Sequence, residues 1–144
     1  MFLGELDGDG VALAGDAVAA AALELDRGWA LDWGDPGAFP TPKRPRVLWL
    51  GLADAGPTIA AQAVLALKLS EAGLPVGDRA YRPHLTLARV RREVSTARSE
   101  ELSQALSRFE HPPAARVASL VLFSSRLGGG RSPVYEELRS AALG

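Results

Sequence analysis

Apolar residues in this chain come in runs too short for anything but small strands and medium helices, and each run is closed by Pro, Gly or charge. Val47 to Leu52 (VLWLGL) is a strand candidate introduced by the turn-rich stretch Gly34 to Pro45, which holds four prolines. Val117 to Phe123 (VASLVLF) is a second, bounded by Pro112-Pro113 and Gly128-Gly129-Gly130. With Pro133 to about Arg139 it reads as a hairpin whose loop is the glycine run. Trp29 to Trp33 (WALDW) alternates as a half-buried strand does. Three segments carry helical spacing instead. Asp16 to Leu25 is Ala-rich. Pro57 to Ala72 starts on a Pro suited to the first helical turn, lines up Ile59, Ala63, Val64 and Leu67, and stops at Gly73 before Pro75. Thr96 to Phe109 spaces Leu102, Leu106 and Phe109 for one face. The expected order is β, α, β, β, α, β, α, β, β. Hairpins mixed with helical crossovers predict an α+β fold with mainly antiparallel sheets and flanking helices.

At 144 residues and 47% hydrophobic content the chain has material for one core, so a single domain over 1–144 is expected. The absence of cysteine removes disulfides, thiolate nucleophiles and Cys-based metal sites. No apolar stretch approaches the roughly 20 residues of a membrane span, and the start, Met1-Phe2-Leu3-Gly4-Glu5, lacks the basic opening of a signal peptide. A cytoplasmic protein without membrane contact is the expectation. Charge is uneven: residues 1–36 hold eight acids and one base, whereas 37–144 hold nine acids and fifteen bases. Arg79, Arg82, Arg89, Arg91, Arg92 and Arg98 crowd one segment with only Glu93 among them, which suits a phosphate-bearing ligand.

That segment contains Tyr81-Arg82-Pro83-His84-Leu85-Thr86-Leu87-Ala88-Arg89. Pro83 disfavours helix at Arg82 and permits a strand to start. Strand alternation then predicts His84, Thr86 and Ala88 on one face, with Leu85 and Leu87 anchoring the other. An imidazole that titrates near neutrality beside a hydroxyl that donates to a phosphate oxygen is a workable proton-transfer surface.

The segment resembles the second His-x-Thr motif of the two-histidine phosphoesterases, in particular the RNA 2',3'-cyclic phosphodiesterases, also called 2'-5' RNA ligases. Three more stretches agree with that family in order and spacing: Gly37-Ala38-Phe39-Pro40 leading to Arg44-Pro45-Arg46-Val47-Leu48-Trp49-Leu50-Gly51, then Leu122-x-x-Ser125-x-Leu127, then Gly130 followed by Tyr135-x-x-Leu138. The resemblance implies a bilobal fold in which two such motifs face each other. It implies opening of 2',3'-cyclic phosphates at RNA or oligonucleotide ends, or in nucleotides, to 2'-phosphates, with 2'-5' ligation as the reverse. The mechanism it implies uses histidines alone, with neither cofactor nor metal. His84 becomes half of the acid–base pair and Thr86 holds a phosphate oxygen. Arg89 meets phosphate or packs on a base, and Ser125 and Tyr135 stand near the site.

The family's first motif reads like His-Leu-Thr-Leu-x-Phe-Leu-Gly-Glu, and Met1-Phe2-Leu3-Gly4-Glu5 resembles its tail. The expectation is therefore that a first strand, a helix and the first His-x-Thr precede the sequence given. A protein complete in this sense is expected to be monomeric, and the chain as given to be open to self-association. Phe2 would then occupy in the first motif the position that Arg89 occupies in the second, so the two would flank the ligand from opposite sides. The alternative is a half-site that binds nucleotide phosphate with weak or no turnover. Among the remaining residues, His111 before Pro112-Pro113 reads as a loop residue. Trp29, Trp33 and Trp49 read as core, Arg46 and Arg82 as solvated surface, and Asp7, Asp9 and Asp16 as loop and helix-cap residues.

Overall fold

The computed structural model describes residues 1–77, 80–90, 94–126 and 133–144. Three helices and antiparallel sheets make an α+β fold, arranged as two compact units between which the chain passes repeatedly. The first comprises Met1–Trp29, Pro57–Tyr81 and Arg116–Gly144; the second comprises Ala30–Gly56 and Arg82–Ala115. Short strands β1 (Trp29–Leu31) and β5 (Ala115–Val117) lie where the chain leaves one unit for the other.

In the first unit, helix α1 (Gly8–Leu25) begins well before the expected Asp16, because Asp7 caps it: its carboxylate accepts from the Gly10 N–H at 2.8 Å. No strand precedes α1 among the described residues, unlike the order expected from sequence. Helix α2 (Gly56–Glu71) ends on Gly73 in the left-handed region at φ 75°, with Leu74 N–H donating to the Leu69 carbonyl and Gly73 N–H to that of Ser70, both at 2.9 Å. Lys68 ties the two helices by pairing with Glu24 at 2.8 Å. Strands β6 (Ser119–Arg126) and β7 (Val134–Ala142) form the expected antiparallel hairpin, against which α1 packs. Ala14, Ala17 and Leu69 make the core, joined by Leu3, Leu6, Leu65, Leu74, Val76 and Leu122. The α2 stripe is thus offset from expectation. Ala61, Leu65 and Leu69, four apart, turn inward, while Ile59, Ala63 and Leu67 are exposed. Both faces of this helix are apolar, so spacing alone fits either stripe.

In the second unit, β2 (Trp33–Thr41), β3 (Arg44–Leu52) and β4 (Leu85–Arg89) form an antiparallel sheet in that order, against which α3 (Thr96–Ser107) packs. Most of the stretch expected to be turns is therefore strand. Its prolines are tolerated because β2 pairs on one side alone and departs from regular register twice, between Trp33 and Pro36 and between Phe39 and Pro40. Only Pro42 and Lys43 make the turn into β3. One face of the sheet is buried: Ala38, Leu48 and Leu50 are all under a tenth exposed. The other face carries Gly37, Phe39, Val47 and Trp49, as the pairs Gly37 with Trp49 and Phe39 with Val47 require. No described helix is long and apolar enough to cross a membrane.

Candidate active site

His84 stands one residue ahead of β4, next to Pro83, and its imidazole lies on the open face of the sheet. Its ring centroid is 5.2 Å from that of Phe39 and 6.3 Å from that of Trp49, both edge to face. Nδ1 is 2.7 Å from the Arg82 carbonyl oxygen. A carbonyl only accepts, so Nδ1 carries the proton in that bond and the neutral ring is left with its lone pair on Nε2. One nitrogen is thereby held and the other is available for proton transfer.

Thr86 pairs with Trp49 and so shares that face. The next step departs from simple alternation. Leu48 faces Ala88 while its neighbour Trp49 faces Thr86, which leaves Leu87 as an extra residue in β4. This bulge reverses the sides of everything after it. Ala88, expected beside Thr86, is turned to the side of Leu48, where it stays exposed, and Arg89 pairs with Val47 on the face of Thr86 and Trp49. His84, Thr86 and Arg89 are consequently brought to one surface, all three exposed. Leu85 lies opposite Leu50 on the anchoring face as expected, although it stays 41% exposed.

The arrangement offers a proton-transfer nitrogen, a hydroxyl donor and a guanidinium along one strand, a set suited to an anion such as phosphate. Among the described residues no group of three or more His, Asp or Glu side chains is placed to hold a metal ion.

The other candidate residues belong to the first unit. Ser125 and Tyr135 are directly opposed on β6 and β7, both exposed. Phe123, whose ring lies 6.4 Å from Tyr135 edge to face, joins them on the same side. Phe2 precedes α1 and is 80% exposed. Tyr81 lines a cavity with Trp29, Ala61, Leu65, Val117 and Leu120, and burial raises its phenol pKa above the usual value. Trp29 donates to Thr58 Oγ1 at 2.9 Å there, and Trp33 to the Pro113 carbonyl at 3.0 Å, both in keeping with structural roles. His111 sits in irregular chain after α3. Arg79, Arg91, Arg92, Glu93, Leu127 and Gly128-Gly129-Gly130 lie outside the described residues. Phe39 and Trp49 are the contributors that sequence reasoning missed. Their signal was Gly37, a strand glycine that marks a close approach by a neighbouring group.

The family model described as LigT-like phosphoesterase matches residues 51–135, more than half of the chain, including His84, Thr86 and Arg89. The chain belongs to the LigT-like phosphoesterase family. No curated protein matches it. Solved structures of similar fold include TT0787 of Thermus thermophilus, at TM-score 0.74 and 23% identity, over 99% of this chain and 75% of that one. Escherichia coli LigT complexed with 3'-AMP is similar at TM-score 0.63 and 24% identity, over 99% and 74%. The same protein complexed with NADP+ gives 0.59 and 24%, over 99% and 72%. As a two-histidine phosphoesterase the chain has the α+β architecture that its sequence predicts.

Proposed function

We propose that this LigT-like phosphoesterase opens 2',3'-cyclic phosphates at RNA ends and in nucleotides to 2'-phosphates, with His84 as one of two acid–base groups and 2'-5' ligation as the reverse. The observation that carries the reading is the held tautomer of His84, with its free nitrogen on the same surface as Thr86 and Arg89. In the reaction a water oxygen bonds to phosphorus and the bond from phosphorus to O3' breaks. One histidine takes the water's proton and the other gives a proton to O3'. Thr86 donates to a non-bridging oxygen, and Arg89 neutralises the charge that grows on the phosphoryl group. That E. coli LigT is complexed with 3'-AMP and with NADP+ supports a nucleotide phosphate as the ligand here.

The other acid–base group is, by the family pattern, a second histidine. Rates on a nucleoside 2',3'-cyclic phosphate provide the test. A His84→Gln protein is expected to turn over more slowly than the parent by about 10² or more, the worth of one acid–base group. Equal rates would refute the acid–base role of His84 and leave a site that binds nucleotide phosphate.

A further inference from the structure

We infer that Gly37 and Trp49 form a seat that positions His84, making Gly37 a positioning residue although it touches no ligand. The two residues are cross-strand partners on β2 and β3. A Cβ built on Gly37 would stand within 2.7 Å of Cζ2, Cη2 and Cε2 of Trp49, a distance no side chain tolerates. The indole therefore lies flat across the glycine's backbone. Its Nε1 is buried and has no hydrogen-bond partner among the described residues, so packing sets the ring's orientation there. Phe39 closes the seat, 5.0 Å from Trp49 between ring centroids.

Both rings then meet His84. The 2.7 Å bond to Arg82 fixes one atom of the imidazole but permits rotation about that contact. The two aromatic walls remove the rotation and so determine where Nε2 points. A methyl group at position 37 has backbone beneath it and the benzo edge of Trp49 above it. The indole must move, and the wall against His84 moves with it. Only Gly fits under this tryptophan, and the reason is volume, since a conformation restricted to glycine is not involved: Gly37 has no positive φ.

The inference extends the functional reading above but is separable from it, because the imidazole's tautomer is measurable without turnover. The chain has two histidines, so a long-range proton–nitrogen NMR spectrum of the imidazoles is simple, and a His111→Gln protein assigns it. In the unaltered protein at a pH where the ring is neutral, His84 is expected almost wholly as the Nδ1–H form. In Gly37→Ala it should become a mixture of tautomers, and kcat on a nucleoside 2',3'-cyclic phosphate should fall by about 10- to 100-fold with little change in KM, the signature of a misplaced catalytic group. Trp49→Phe removes the benzo atoms above Gly37 while keeping an aromatic wall. In that background Gly37→Ala should have little effect on either readout, a coupling that two independent sites would not show. If Gly37→Ala fails to fold, Phe39→Leu applies the same test by removing one wall. An unchanged tautomer in these variants, or an equal effect of Gly37→Ala in both backgrounds, would overturn the inference. Full turnover by His84→Ala would instead defeat the functional reading and leave the tautomer result to stand alone.

Discussion

Replacing His84 by Ala is expected to lower turnover of nucleoside 2',3'-cyclic phosphates by about 10²- to 10⁴-fold, the usual worth of a positioned acid–base group. The more telling substitution is His84→Asn. The asparagine amide can donate to the Arg82 carbonyl much as Nδ1 does, so the local bond is retained while proton transfer is lost. An Asn protein that melts like the parent and yet turns over as poorly as the Ala protein would assign the loss to chemistry. Preserved turnover in either would remove His84 from the mechanism. Thermal melts alongside steady-state kinetics separate these outcomes.

The largest effect on stability is expected at Leu50. It is fully buried in β3, the central strand of the sheet that carries the site, and lies opposite Pro36 on β2 and Leu85 on β4. Truncation to Ala removes its apolar burial and leaves a cavity on the packed face, at a cost of about 2–5 kcal/mol. Phe2→Ala serves as the contrast, since an 80% exposed side chain contributes little to packing and its loss should fall within about 0.5 kcal/mol. Chemical denaturation of both proteins measures the difference. A Leu50→Ala protein as stable as Phe2→Ala would mean that the buried face of this sheet is not a core.

Much of the fold is legible in the sequence because its strands and helices are separated by strong punctuation. Gly73 stops α2 and Pro112-Pro113 follows α3, as expected, and the pairing of β6 with β7 agrees with two β-type runs flanking a glycine cluster. β2 was hidden because four prolines between Gly34 and Pro45 read as turn, whereas a strand paired on one side alone, with irregular register, admits proline. The start of α1 was hidden because Gly8 and Gly10 are poor helix formers, and the Asp7 cap outweighs them.

At the site, the residues point to His84 and Thr86 and the family resemblance to Arg89, but alternation misplaces Ala88. Strict alternation puts Arg89 with the leucines. The extra residue at Leu87 returns it to the face of the histidine, and nothing in Leu-Ala-Arg announces a bulge. Trp49 was read as core from its apolar neighbours. Its ring is instead half-buried on the open face, held over Gly37 and against His84. Both corrections come from cross-strand register, which a single sequence specifies only through the strands that pair.

The central claim is that His84, Thr86 and Arg89 form one phosphate-binding surface. Titration of the isotopically labelled 144-residue chain with 2'-AMP, monitored by NMR, tests it most directly. The account predicts that the His84 imidazole and the backbone amides of Thr86 and Arg89 respond together and saturate with a single Kd, and that Thr86→Val and Arg89→Gln each weaken binding. Binding of 2'-AMP that perturbs none of the three, or that both substitutions leave unchanged, would contradict it.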